Sequence, residues 1–407
     1  MSGVRAVDRC DQLGGGRFSE SAEHLFRPYL SPAHRAAVDQ VAQWMKDAGM
    51  TSRIDPSGSL IGRFEGTAVG APALLIGSHL DSVRDAGRYD GPLGVMLGIE
   101  CVDALRRQGR TLPFAIEIVA FGDEEGSRFP SAMLCSRAMA GLLDEQALEI
   151  DGLADALAEW RLDRGCFLTA RRDPADLIGY LEAHIEQGPV LESENRALGI
   201  VTAIAAQKRY EVILRGIAGH AGTNSMGLRK DALTAAAEAI LAIERIARAG
   251  PADLVATVGK IEALPGVANV VPGEVRFSID VRAGTLAVRE HAADEILACV
   301  GAIAADRGII CDISCLHDLA PVPCAVPLMR RLEQAVTAIG QPVKALVSGA
   351  GHDAMALASI TPMAMLFLRC KDGISHNPAE SVLASDAELA LSAMLAFLEI
   401  LTEDLNA

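Results

Sequence analysis

The segment Gly77-Ser78-His79-Leu80-Asp81 closes an apolar run and sets an imidazole and a carboxylate two positions apart. On a strand such residues share a face, so the Asp81 carboxylate is expected to reach His79. A metal-ligating histidine uses a carboxylate in this way, to fix its tautomer and strengthen its donor nitrogen. A solitary H-x-D is otherwise an ordinary polar pair at a strand end. Asp90-Gly91-Pro92 stands just before a helix, where Asp90 suits either a ligand or an N-cap. The next apolar run ends in Gly122-Asp123-Glu124-Glu125-Gly126. That run fits a solvated acidic turn, but α/β sheets build their sites at the carboxyl ends of strands. Like charges this close need a cation to remain ionised together.

Two more histidines occupy polar surroundings: His184 in Glu182-Ala183-His184-Ile185-Glu186-Gln187-Gly188, and His376 in Ile374-Ser375-His376-Asn377-Pro378. Each alone also fits a hydrogen-bonded structural histidine. Together with the carboxylates they offer nitrogen and oxygen donors without cysteine. Such a set suits zinc or manganese, as one ion or as a pair sharing a carboxylate. The H-E-x-x-H pattern is absent, and no G-x-S-x-G elbow supports a serine hydrolase.

The elements that must position these residues follow from periodicity. A helix is expected from Ser31 to Gly49, with Ser31 as cap and Pro32 at the first helical position. Ala73 to Ser78 and Phe114 to Phe121 read as buried strands around a helix from Gly91 to Leu105, which implies a parallel sheet. The character changes near Gln207. Strands are expected at Arg209 to Gly216, Leu254 to Ala263, Glu274 to Arg282 and Ile309 to Leu316, and helices at Arg229 to Arg248 and Leu286 to Asp306. This is the β-α-β-β-α-β ferredoxin-like order. Helices at Leu328 to Ile339, Asp353 to Ser359 and Ser385 to Leu401, with strands at Ala345 to Val347 and Met363 to Leu368, resume the first pattern. The expected fold is α/β: a mixed, mainly parallel sheet flanked by helices, formed by residues 1–207 and 319–407, with residues 208–318 as an inserted ferredoxin-like domain.

Composition bounds the function. At 407 residues and 50% hydrophobic, the chain has material for two to three domains. A net charge of −16 opposes binding to nucleic acids and anionic membranes, and 4% aromatic content leaves no stacking platform for single strands. The nine cysteines are odd in number and lack a C-x-x-C pair, as expected of reduced, mostly buried thiols. With no signal-peptide pattern and no long uninterrupted apolar run, the chain reads as cytoplasmic.

The motifs Gly77-Ser78-His79-Leu80-Asp81-Ser82, Asp90-Gly91, Asp123-Glu124-Glu125-Gly126, His184-Ile185-Glu186-Gln187-Gly188, Gly219-His220-Ala221-Gly222 and Ser375-His376-Asn377-Pro378 occur in the order found in aminoacylase and carboxypeptidase-like dinuclear metallohydrolases. H-I-E-Q-G and the stretch Ser348 to Ala354, S-G-A-G-H-D-A, make the chain similar to the N-carbamoyl-L-amino-acid amidohydrolase and allantoate amidohydrolase branch. The resemblance spans nearly the whole sequence. It implies two divalent ions, manganese or zinc with cobalt or nickel as substitutes, held by His79, Asp90, Glu125, His184 and His376, with Asp90 as the bridge. Glu124 would be the catalytic base, and Asp81 counts among the catalytic residues as the carboxylate behind His79.

The same resemblance implies that His220 crosses from a partner subunit to stabilise an oxyanion, making the inserted domain a lid and dimerisation surface. His220 alone also fits a turn histidine capping a helix. Asn269 and Arg282 match positions that bind the substrate carboxylate, and Gln187 is a candidate for the ureido group. A lone strand-end arginine is otherwise a surface charge. His352 and Asp353 either shape the pocket or cap a helix. The implied substrate is a small carboxylate bearing a ureido or carbamoyl group. Allantoate, a compound of ureide and purine catabolism, comes first, with N-carbamoyl-L-amino acids or β-ureidopropionate as alternatives. A non-catalytic binding protein on the same fold is the distant one. The chain departs from its relatives at Ser59, where asparagine is usual, and at Ser225, where proline is usual.

Overall fold

A computed structural model describes residues 2–406. Ser31 accepts a hydrogen bond from the His34 amide at 3.0 Å and Pro32 takes the first helical position, so the helix Pro32–Asp47 starts where its capping residues dictate. The chain forms two compact units. One comprises residues up to Thr202, Cys324–Leu346 and the chain from Ala350 onward; the other comprises Ala203–Pro323 and Val347–Gly349. The expected cuts at 207/208 and 318/319 fall inside the strands Ala206–Arg215 and Ile310–Leu319. The second unit is therefore wider than the expected insertion, and its first boundary falls within the strand Leu198–Ile204.

The first unit is built on a mixed sheet whose centre is parallel, in the order Ala115–Phe121, Ala73–His79, Leu177–Ile185 and Met363–Leu368. Leu60–Phe64 and Thr51–Ile54 extend one side in antiparallel sense, and Leu198–Ile204 the other. Ala73–His79, Ala115–Phe121 and Met363–Leu368 are buried at every residue. Parallel strands covered on both faces are buried in this continuous way and mostly apolar, Glu117 being the charged exception in mid-strand. The helix Pro92–Arg107 packs on the central strands, and Ser2–Leu13 packs against it and against Ala384–Asn406. Because the four central strands run the same way, their carboxyl ends share one edge, and the loops leaving that edge carry the chemistry.

The second unit runs strand, helix, strand, strand, helix, strand. Its sheet is antiparallel in the order Ile261–Leu264, Glu274–Ala283, Ala206–Arg215, Ile310–Leu319. The strand expected from Leu254 to Ala263 is split into Val255–Thr257 and Ile261–Leu264. Thr257 faces Asp280 while Ile261 faces Phe277, so the first strand carries one residue more than its partner and bulges between them. Alternate residues Val275, Phe277, Ile279 and Val281 join Ala235, Ala236 and Ala239 of one helix and Ala292, Ala293 and Ile296 of the other in a single core. Phe277 is 1% exposed at its centre. Phe277→Ala is expected to destabilise the fold by about 3–5 kcal/mol, read as a lower midpoint of denaturant unfolding.

Candidate metal centre

The carboxyl end of each central strand delivers one part of the site. His79 is the last residue of Ala73–His79, and Asp123, Glu124 and Glu125 follow Ala115–Phe121. His184 is the penultimate residue of Leu177–Ile185, and the loop after Met363–Leu368 carries His376. Asp90 precedes the helix Pro92–Arg107, but Gly91 takes the N-cap position, so the Asp90 carboxylate is turned to the site and does no capping. Gly91 is required there. Its φ is 84°, and a Cβ would come within 2.5 Å of the His79 ring.

Asp90 is the centre of the arrangement. Its Oδ1 lies 3.1 Å from His184 Nε2 and 3.6 Å from His79 Nε2, and its Oδ2 lies 3.2 Å from His376 Nε2. Glu125 Oε2 is 3.5 Å from the same His376 nitrogen. Four triads of ligand atoms among the described residues each lie within 4.8 Å: His79-Asp90-His184 and Asp90-Glu125-His376, which share only Asp90, together with His79-Glu124-Glu125 and Glu182-His184-His352. Neutral imidazole nitrogens and carboxylate oxygens at such spacing fit a divalent metal centre. His79 Nδ1 is 3.0 Å from the Asp81 carbonyl and His184 Nδ1 is 2.9 Å from the Ile185 carbonyl. Donation of each Nδ1 proton to its carbonyl leaves both Nε2 atoms free to ligate.

Charges in the cluster answer one another. Burial pushes the Glu124 carboxyl well above its ordinary range, offset by His79 and reinforced by Glu125 and Asp353. Burial and Asp90 push Glu125 up to about 7. Hydrogen bonding to Asp90 raises His376 to about 9 despite its partial burial. Asp90 itself is buried, yet its bonds to His184, His376 and His79 outweigh that burial and hold it well below the carboxylate range. The side chains of Glu124 and Glu125 are only 10% and 8% exposed, so this is no solvated acidic turn. A buried concentration of carboxylates of this kind is what a cation stabilises.

The Asp81 expectation needs correction. Its nearest carboxylate oxygen is 3.8 Å from His79 Nδ1, and the backbone carbonyl of Asp81 takes that nitrogen instead. The strand ends at His79, so two-residue alternation no longer applies at Asp81. The Asp81 carboxylate accepts the backbone amides of Glu124 and Glu125, both at 3.2 Å. Gln187 donates from Nε2 to Asp90 Oδ2 at 2.7 Å, and its buried Oε1 has no hydrogen-bond partner among the described residues.

His220, Asn269 and Arg282 belong to the second unit. His220 lies in a two-residue strand paired with Val270–Val271, caps no helix, and accepts the Gly222 amide at its Nδ1. The Asn269 carbonyl accepts the Ala221 amide at 2.9 Å, which joins the His220 and Asn269 segments. The Arg282 side chain is 28% exposed, with Nε and Nη2 on Asp280 at 2.9 and 3.1 Å and Nη1 on the Gly349 carbonyl at 2.5 Å. Asp353 stands at the N-cap of Ala354–Leu357 without a side-chain capping bond, and His352 packs edge-on against His184 at 4.5 Å. Ser59 is buried in a turn with its amide on Asp55 at 3.0 Å, and Ser225 is an exposed residue before the short turn of helix Met226–Leu228.

Sequence reasoning overlooked several supporting groups. Glu182, fully buried two residues before His184, accepts from Ser78 and Tyr180 at 3.0 Å and from the Ala354 amide at 3.2 Å. A buried glutamate on the same strand face as a ligating histidine was the available signal. Arg27, 1% exposed, donates to the carbonyls of Leu80 at 2.6 Å, Leu13 at 2.8 Å and Phe18 at 3.2 Å. It ties the His79 loop to the N-terminal segment.

The histidines and carboxylates gathered at the carboxyl edge of the parallel core fit a divalent metal centre. The chain belongs to the peptidase family M20/M25/M40, which matches residues 75–400. It is similar to allantoate deiminase 1 of Glycine max, at 39% identity over 98% of this chain and 89% of that protein. It is also similar to the N-carbamoyl-L-amino acid amidohydrolase of Geobacillus stearothermophilus, at 42% identity over 93% and 94% of the two chains. A crystal structure of a hydantoinase/carbamoylase family amidase from Burkholderia multivorans superposes with TM-score 0.90 at 32% identity, covering 98% of this chain and 97% of that one. Among the described residues no helix is long and apolar enough to cross a membrane.

Proposed function

We propose that this hydrolase cleaves the C–N bond of a ureido or carbamoyl group on a small carboxylate, with allantoate as the first substrate, releasing ammonia and carbon dioxide. The sharing of Asp90 between two ligand triads carries the reading, since a bridging carboxylate is what a pair of ions requires. The relatives named for allantoate and for N-carbamoyl amino acids supply the substrate class, and the 42% identity to the latter keeps N-carbamoyl-L-amino acids as the second choice.

His79, Asp90 and His184 would hold one ion and Asp90, Glu125 and His376 the other, manganese or zinc in either position. Such ions, when bound, polarise the carbonyl and acidify a water. Glu124 takes the proton of the attacking water on its carboxylate and returns it to the departing nitrogen. Asp81, by holding the amides of Glu124 and Glu125, fixes where both side chains start. Gln187, anchored on Asp90, presents Oε1 to a ureido N–H. Arg282 and Asn269 take the substrate carboxylate, for which a guanidinium fork is suited. His220 of the partner subunit stabilises the oxyanion, worth about 3 kcal/mol. This last assignment carries with it a homodimer formed through the second unit, which also serves as the lid. The nine free thiols accord with action in the cytoplasm.

The test is to reconstitute chelator-treated protein with manganese and measure ammonia release from allantoate and from several N-carbamoyl-L-amino acids. Release from none of them would refute the proposal. Chelation itself is expected to lower the melting temperature as well as activity, since ligands that bind only the folded state stabilise it by about 2.7 kcal/mol at 100 times Kd. Differential scanning calorimetry with and without added manganese checks this.

A further inference from the structure

Glu380 is 4% exposed and belongs to none of the ligand triads. Its Oε1 accepts the backbone amides of Tyr89 at 2.7 Å and Asp90 at 3.2 Å. Its Oε2 lies 3.1 Å from the Ser375 hydroxyl, which in turn lies 2.5 Å from Asp90 Oδ2. These contacts run from the Asp90 backbone through Glu380 and Ser375 back to the Asp90 side chain, with the single Ser375 proton serving one of the two carboxylates at a time. The fit is close: a Cβ on Gly87 would come within 2.1 Å of the Glu380 carboxyl carbon.

His376 gives these contacts their significance. Its side chain is 49% exposed and its φ is 53°, a left-handed conformation that a non-glycine residue keeps only when its surroundings impose it. The Glu380 amide closes the following turn on the Asn377 carbonyl at 3.0 Å. His79 and His184 are placed by central strands, whose ladders fix them independently. The position of His376 relative to Asp90 depends instead on what fastens residues 375–380 to residues 89–90.

We propose that Glu380 is a positioning residue for one ion site only, that of Asp90, Glu125 and His376, and that it acts by clasping the two loops with its carboxylate oxygens. The inference rests on the two-ion reading above. It is tested by titrating chelator-treated protein with Mn2+ by calorimetry while electron paramagnetic resonance reports whether the ions form a coupled pair. Wild type takes up two ions and gives the coupled spectrum. Glu380→Ala keeps the first ion and weakens the second by about 10–100-fold, leaving the spectrum of an isolated ion. Glu380→Gln keeps an oxygen for both amides and an N–H for Ser375, and recovers the second ion. Ser375→Ala removes only the hydroxyl link and weakens the second ion in the same sense, which carries the test if Glu380→Ala does not fold. A wild type that fails to bind two Mn2+ would remove the two-ion reading itself. Two ions in wild type, with second-ion affinity unchanged in whichever variants fold or with both ions weakened alike, would overturn the role of Glu380 alone.

Discussion

Glu124→Gln is expected to bind metal as the parent does and to hydrolyse substrate about 10²–10⁴-fold more slowly. The argument is one of position. Glu124 is outside both triads that share Asp90; it comes near ligand atoms only in the group with His79 and Glu125, where its Oε2 is 4.0 Å from His79 Nε2. Its backbone amide is fixed by Asp81, so the amide variant occupies the same place with the same volume. What it loses is the capacity to accept a proton. Burial raises the carboxyl well above its ordinary range, with Glu125 and Asp353 adding to the rise. Metal content and kcat measured on the same preparation check the prediction, and unchanged kcat would refute the assignment of the base.

Asp90→Asn should have the broadest effect of any single substitution at the site. Both oxygens are engaged, one by His79 and His184 and the other by His376, Gln187 and Ser375. An amide nitrogen in place of either oxygen sets a donor against groups that themselves donate or ligate. The expected result is loss of both ions by more than about 100-fold in affinity, beyond the 10–100-fold typical of a supporting residue, with activity falling to background. Glu125→Gln, which touches only one of the two triads that share Asp90, should weaken only one ion. Stepwise metal titration of the two variants separates the cases, and a single lost ion in Asp90→Asn would mean that the carboxylate is no bridge.

Much of this site was legible in the sequence because its residues sit where simple runs end. Ala73 to Ser78 is an apolar stretch and Phe114 to Phe121 is interrupted only by Glu117, so the polar residues that follow them stand out. The strand Leu177–Ile185 was not legible in the same way, since Glu182 and His184 interrupt the apolar run on the face that serves the site. The helix Ser2–Leu13 was missed because Arg5, Asp8, Arg9 and Asp11 give it a polar composition, although Ala6, Cys10 and Leu13 keep helical spacing and are wholly buried. The Asp81 error has a different cause. Alternation was carried two residues past the end of a strand, and a strand's end is set by backbone partners that no single segment reveals. Glu380 was invisible for a related reason, because its role depends on a loop almost three hundred positions away in the chain, about the separation of the bonds it makes.

The buried guanidinium of Arg27 links the first residues of the chain to the reaction centre, and this bears on how the enzyme can be handled. Shortening the chain beyond Phe18 would strip a permanent cation of two of its three carbonyl acceptors while leaving it enclosed. Proteolytic clips that remove Leu13 and Phe18 would then be felt at Leu80, next to His79.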